Sequence, residues 1–288
     1  MKKRLNVFLT GYRGLAESFL STFLENGHEL HVLVRPSAPL AQLKERWPRV
    51  HFFCGNVEDQ IGCQSWIDQA VRNTGPGDVL INNAAISGPA GKLDEIGIDE
   101  VERTLQVNLV SPLFLMQVFL RAAQHPITVL NLSGGGATAA RPTFCAYAIS
   151  KTALVRLTET AACEYPEHRF YAIAPGRLMT PMIEGILRQD ETKVAPEDYK
   201  EAQRRLREGG DDPKKAAELA LWLCEARPQS LNGKLIHAIH DDYRNEKAIS
   251  KLSHWWTLRR IDELCQEQIS RIVSQSTPPS PQPKDHDA

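Results

Sequence analysis

Tyr147 and Lys151 are the residues whose types and spacing most directly suggest chemistry. Four apart on a helix, they share one face, with their heads within reach of a single small molecule. An ammonium beside a phenol favours the phenolate, which makes a tyrosine usable as an acid or base near neutral pH. The pair follows a serine-bearing glycine run, Asn131-Leu132-Ser133-Gly134-Gly135-Gly136. Near the start of the chain stands a turn with two glycines, Thr10-Gly11-Tyr12-Arg13-Gly14-Leu15. Tyr-x-x-x-Lys alone is common on helices; its company distinguishes it here.

Those motifs must be positioned by regular elements, and the hydrophobic patterning supplies them. Apolar runs predict strands over 5–9, 30–34, 50–53, 79–82, 127–132, 170–174 and 235–238. Amphipathic stretches predict helices over 15–26, 41–47, 63–73, 98–124, 147–164 and 213–226. Such alternation is the mark of an α/β fold, a Rossmann-like doubly wound parallel sheet with helices on both faces, here as a single domain over 1–241. Sheets of this kind bind ligands beyond the carboxyl ends of their strands, where strand order reverses. Each motif falls where a strand ends or a helix begins, apart from Asn108 inside its long helix.

Two segments depart from the alternation. Residues 182–212 are charge-dense and follow a Pro-Gly turn, which suits an active-site lid or a solvated helix pair over the sheet. Beyond Asp241, apolar residues recur at helical spacing through Leu252, Trp255, Leu258 and Ile261, which predicts a helical extension over 242–274. The proline-rich stretch 275–288 is expected to be disordered.

Composition narrows the function classes. The chain has 288 residues, 42% of them hydrophobic, and a net charge of −1, an ordinary globular balance that argues against general nucleic-acid binding. No unbroken apolar run approaches the roughly 20 residues of a membrane span. Met1-Lys2-Lys3-Arg4 has the charge of a signal n-region, but Val7–Thr10 is too short for an h-region and is read as the first strand. The six cysteines are scattered without a C-x-x-C pair, which suits reduced thiols in a cytoplasmic protein. His237 and His240 lack a third ligand, so no metal site is expected.

The glycine turn ends the first strand and opens a helix, a geometry that lets backbone amides approach a pyrophosphate at the positive helix end. Arg35 ends the second strand, where an acidic residue would accept the ribose hydroxyl protons of NAD. An arginine there can instead pair with a 2′-phosphate, and Arg13 would add a second cation. Together they favour NADP (NADPH) over NAD.

The ordered set of motifs resembles the short-chain dehydrogenase/reductase family from about Asn6 to Asp241. It comprises the turn Thr10–Gly14, Asn82-Asn83-Ala84-Ala85, Asn108, Ser133, Tyr147 with Lys151, and Pro175-Gly176-Arg177-Leu178-Met179-Thr180. The resemblance implies that Tyr147 exchanges a proton with a substrate carbonyl or alcohol oxygen while hydride moves. Lys151 would hold the nicotinamide ribose and keep the phenol acidic. Ser133 would hydrogen-bond the substrate oxygen, and Asn108 would hold a water linking Lys151 to solvent. Asn83, Ala84 and Ala85 would line the adenosine side, with Asn56 and Val57 near the adenine, and Leu178 and Thr180 would meet the nicotinamide amide. It further implies a homodimer or homotetramer, paired through the helices 98–124 and 147–164.

The chain also departs from the family pattern. The turn is one residue short, and Ala16 replaces its last glycine. The family's usual spacing puts its serine at position 134, a glycine here, so the glycine run must absorb one residue if Ser133 is to serve; otherwise the role is vacant or falls to Thr138. Asn56 stands where the family usually has an aspartate. The leading expectation is an NADP(H)-dependent oxidoreductase that reduces a ketone or aldehyde. A 3-oxoacyl-thioester reductase and a sugar-type carbonyl reductase using Arg177 and Arg188 are the enzymatic alternatives. A dinucleotide-sensing scaffold is the alternative from another class.

Overall fold

A computed structural model of the chain describes residues 3–245. The expected C-terminal helix, apart from its first few positions, and the expected disordered tail lie outside the described residues. The described residues form seven strands: β1 (Asn6–Thr10), β2 (Glu29–Val34), β3 (Val50–Cys54), β4 (Val79–Asn82), β5 (Thr128–Leu132), β6 (Arg169–Ala174) and β7 (Leu235–His237). They form one sheet in the order β3-β2-β1-β4-β5-β6-β7, parallel throughout. The order reverses between β1 and β4, so the crevice outside their carboxyl ends is the place for a ligand.

The helices are α1 (Leu15–Glu25), α2 (Leu40–Arg46), α3 (Gln60–Thr74), α4 (Ile98–Leu105), α5 (Ser111–Ala122), α6 (Cys145–Glu164), α7 (Pro181–Leu187), α8 (Pro196–Glu208) and α9 (Pro213–Ala226). Strand side chains alternate between two buried layers, as a parallel sheet covered on both faces requires. Val7 and Leu9 join Phe19, Phe23 and Leu219 beneath α1 and α9. Phe8 joins Trp66, Leu115 and Phe119 beneath α3 and α5.

The predicted helix over 98–124 is a continuous helical run from Ile98 to Ala122, long and apolar enough by composition to cross a bilayer. Its apolar side belongs to the layer on the sheet, where Leu115, Met116 and Phe119 are buried. Its middle, Gln106–Val110, is a π turn with Asn108 wholly buried. An extra residue per turn re-aims side chains, and such turns concentrate at functional sites.

Residues 182–212 hold two helices, α7 and α8, joined by a short 3₁₀ turn at Glu191–Lys193. Both α7 and α8 begin with proline at the first helical position, where its missing N–H is harmless. Their charges pair along the surface, Glu184 with Arg188, and Glu201 with Arg204 and Arg205. Their buried apolar residues, Ile183, Ile186 and Ala202, gather with Val194, Phe144 and Tyr147. This thin buried stripe within a charged segment is why periodicity alone leaves the pair as one of two readings.

A buried polar chain ties the strands to α6. Asn82 Nδ2 donates to Asn131 Oδ1 at 2.8 Å, and Asn131 Nδ2 donates to Thr158 Oγ1 at 2.9 Å. Asn131→Leu would strand the buried Asn82 amide and remove the donor to Thr158 Oγ1, which keeps its own bond to Leu154 O, at a cost of about 2 kcal/mol. Urea denaturation is expected to show that loss as a lowered midpoint with an unchanged slope.

Candidate active site

The carboxyl end of β1 is clamped to that of β4. Thr10 Oγ1 accepts from the backbone N–H groups of Asn83 and Ala84, both at 3.0 Å, and Asn83 Nδ2 donates to Thr10 O at 2.9 Å. Gly11 has φ of +86°, and a Cβ there would lie 3.1 Å from Asn83 Nδ2. Gly14 has φ of +62° and caps α1; a Cβ there would touch Thr180. The shortened turn therefore still meets Asn83, Ala84 and Thr180. Ala16 is fully buried, its methyl absorbed by the core. Leu15 is buried and Tyr12 is half-buried.

Arg13 and Arg35 are exposed, and neither pairs with a carboxylate among the described residues. The Arg13 guanidinium stands 5.7 Å from the Tyr12 ring centroid. Asn56 is exposed and turned on its own loop: Nδ2 donates to Glu58 Oε2 at 3.0 Å, while Oδ1 accepts from Glu58 N at 3.3 Å. One lone pair of Oδ1 remains for a ligand. Val57 beside it is half-buried.

Tyr147 and Lys151 lie in the first two turns of α6, both buried. Lys151 Nζ is 5.6 Å from the Tyr147 ring centroid and donates to Leu132 O at 2.7 Å. Burial lowers the lysine to about 8. It raises the phenol above its ordinary value, and the cation that opposes this is Arg141. The expectation of an acidic phenol held down by Lys151 is thus corrected: without a ligand, desolvation outweighs neighbouring charge and keeps Tyr147 protonated.

Ser133 does not hydrogen-bond Tyr147. Its hydroxyl is buried and unpartnered among the described residues, while the backbone at Gly134 abuts the phenol, so close that a Cβ would fall 2.5 Å from Tyr147 Oη. Ser133 thus keeps a buried hydroxyl at the start of the glycine run, and Thr138 is exposed. Asn108 uses its side chain as a clamp: Oδ1 accepts from Ile86 N at 2.9 Å, and Nδ2 donates to Ile86 O at 2.9 Å and Ser150 Oγ at 3.1 Å. Ser150 Oγ in turn donates to Tyr147 O at 2.7 Å. These bonds engage the Asn108 side-chain amide with protein on two sides.

Past β6, Pro175-Gly176 turns toward α7. Gly176 has φ of +96°, and a Cβ there would meet Ile239 and Asp211. Asp211 holds the next residue from both sides: Arg177 N donates to its Oδ2 at 2.6 Å, and its own N–H donates to Arg177 O at 3.0 Å. Leu178 is buried, and Thr180 caps α7 without a side-chain bond, so its hydroxyl is not consumed by the helix. Ala85 lies half-buried beyond Ala84. Sequence reasoning missed Asp211, Ser150 and Arg141, which act through pairings between distant segments and carry no local spacing. His237 Nδ1 accepts from the N–H groups of Ile239 and His240, a structural arrangement at the end of β7.

A family model described as enoyl-(acyl carrier protein) reductase matches residues 11–239. The chain belongs to the short-chain dehydrogenase/reductase family. It is an NAD(P)-dependent oxidoreductase acting on CH–OH or C=O groups. Oxidoreductase UcpA of Escherichia coli (strain K12) is 29% identical to it over 237 residues, 77% of this chain and 87% of that protein. Benzil reductase ((S)-benzoin forming) of Bacillus subtilis (strain 168) is 27% identical over 189 residues, 63% of this chain and 76% of that one. The crystal structure of the KRED1-Pglu enzyme superposes with a TM-score of 0.74 at 27% identity, covering 81% of this chain and 100% of that chain.

The depressed lysine makes a sign-definite prediction. Between about 8 and its ordinary 10.5, Lys151 is neutral in the fold and protonated in the unfolded chain. The unfolded state then binds more protons, so the penalty for burying the ammonium is full below about 8 and is relieved as pH rises. Urea titrations of the cofactor-free protein should show wild type gaining stability relative to Lys151→Met between pH 8 and 10.

Proposed function

We propose that the protein is an NADPH-dependent reductase of an apolar ketone or aldehyde, with Tyr147 as the proton donor. The observation that carries this is the surround of the phenol. Phe144, Ile183, Ile186, Val194 and Ala202 are buried around it, with Met179, Met182 and Tyr199 packed against them. Such a wall suits a hydrophobic carbonyl compound and disfavours a sugar, since Arg188 pairs with Glu184 at the surface. The name of the benzil reductase relative points to an aromatic ketone, in keeping with that wall. A 3-oxoacyl thioester is the second reading, because an acyl chain also suits an apolar surround.

The residues present fit a dinucleotide. Gly11 and Gly14 leave room where side chains would intrude, α1 begins at Leu15 with its positive end toward the turn, and Thr180 keeps a free hydroxyl. Asn83, Ala84 and Ala85 would border the adenosine, Asn56 and Val57 the adenine, and Pro175, Gly176 and Leu178 the nicotinamide side. Arg35 and Arg13, both exposed, would hold a 2′-phosphate. The bound nicotinamide supplies the hydride.

The remaining work falls to the chain. Tyr147 Oη gives its proton to the carbonyl oxygen as negative charge develops there. Burial keeps the phenol protonated until that moment, and the Lys151 ammonium stabilises the phenolate left behind. Asn108, through Ile86 and Ser150, holds the backbone on which Tyr147 sits. Exposed Ile98, Leu113 and Ile149 on α4, α5 and α6 suit a homodimer or homotetramer built through these helices. A cytoplasmic setting suits the unpaired thiols among the described residues.

Tyr147→Phe is expected to cut ketone turnover by about 10²–10⁴-fold while nicotinamide fluorescence shows unchanged NADPH binding. A variant that keeps its turnover would remove Tyr147 from the mechanism. Arg35→Glu should weaken NADPH binding by about 10–100-fold and spare NADH. Equal losses for both dinucleotides would overturn the NADP assignment.

A further inference from the structure

The turn between β5 and α6, residues 141–143, makes contacts that the reaction outlined above does not use. Arg141 forms a forked ion pair with Asp198 at the start of α8: Nε reaches Oδ1 at 3.2 Å and Oδ2 at 3.3 Å, and Nη2 reaches Oδ1 at 3.2 Å. The two side chains are only 17% and 22% exposed. The same guanidinium lies 4.6 Å from the Phe144 ring centroid and 5.3 Å from that of Tyr147. Two residues on, Thr143 holds a left-handed backbone with φ of +63°, which is costly for a β-branched residue. Its Oγ1 accepts from Ala195 N at 2.9 Å and its carbonyl accepts from Gly91 N at 3.0 Å. One short turn is therefore fastened twice to the segment leading into α8 and once to the loop after β4, with the phenol enclosed between them.

We propose that Arg141 is a positioning residue for proton transfer: its guanidinium, anchored by Asp198, holds the Tyr147 phenol in place and lends it a second positive charge. This rests on Tyr147 being the proton donor. Arg141 is also the charge whose field lowers the phenol's affinity for its proton. The groups around Tyr147 are few. Lys151 faces it from α6, Arg141 from the turn, and Asp198 and Tyr199 from α8. The loop after β4 presents Ala90, and α7 with the residues leading into it presents Met179, Met182, Ile183 and Ile186, with Glu184 exposed and paired to Arg188. The glycine run makes room for the arrangement, since a Cβ at Gly136 would lie 3.2 Å from Arg141 Cβ and 2.8 Å from Ala148 Cβ.

The test uses Arg141→Gln, Arg141→Lys and Asp198→Asn in the full chain, with alcohol oxidation followed across pH. In that direction the phenolate is the base, so the rate climbs with pH. Removing the cation should move the climb of Arg141→Gln to higher pH, with kcat about tenfold lower at neutral pH and recovering in alkali. Arg141→Lys keeps a cation and should climb near the wild-type pH. A loss equal at every pH, or a lysine variant as shifted as the glutamine one, would overturn the proposal. Hydrogen exchange supplies a readout that needs no substrate. Arg141→Gln and Asp198→Asn should each speed exchange in peptides covering 141–147 and 196–204 together, and unchanged exchange in both would also overturn it. Absence of wild-type turnover on any alcohol or ketone would instead count against the proposed reaction, leaving exchange to decide whether Arg141 and Asp198 fasten α8.

Discussion

A phenol and an ammonium buried side by side are the constraint around which this structure is organised. Each resists burial in its charged form, so Tyr147 is held as a phenol and Lys151 becomes unusually ready to release its proton, near 8. Water is kept from the phenol by an apolar cover of Phe144 just before α6, Ile183 and Ile186 of α7, Val194 two residues before α8, and Ala202 of α8. The backbone serves the ammonium through Leu132 O, and Gly134 lies against the phenol. That geometry depends on the carboxyl ends of β5 and α6 staying in register, which the buried Asn82–Asn131–Thr158 chain enforces.

Loops at the ends of strands are ordinarily the mobile parts of a fold, yet here those after β1, β4, β5 and β6 are fastened by side chains bonding to backbone. Thr10 holds Asn83 and Ala84, Asn108 holds Ile86, Asp211 holds Arg177, and Thr143 holds Ala195. Such bonds satisfy buried or half-buried amides that a loop would otherwise leave without partners, and they fix position at modest energetic cost. The π turn belongs to the same scheme, since it places Asn108 within reach of both polar groups of Ile86. Rigid loops on a rigid sheet suit a reaction whose rate depends on sub-ångström placement of a donor.

The close approach of chain segments also accounts for the glycines. At Gly11 and Gly134 a methyl group would press on Asn83 and on the Tyr147 hydroxyl, and at Gly176 it would press on Ile239 and Asp211. The family position that ordinarily carries a hydroxyl therefore has no space for one, and the neighbouring Ser133 keeps a buried hydroxyl without a partner among the described residues.

The sequence alone determined the strand and helix order, the seven-stranded parallel sheet, the family and the Tyr147–Lys151 pair. These are written in local periodicity and in short motifs whose spacing is set by a single turn or helix face. It offered the helix pair α7 and α8 only as one of two readings of 182–212, because few apolar residues among many charges carry a weak period. Nor did it decide the setting of the Ser133 hydroxyl, the occupation of the Asn108 amide or the direction of the phenol's shift. The first depends on how a glycine run crosses a helix, and the others on burial by segments distant in the chain. Arg141 with Asp198, and Arg177 with Asp211, lie beyond any local pattern, because each pair exists only once tertiary packing has brought its two segments together.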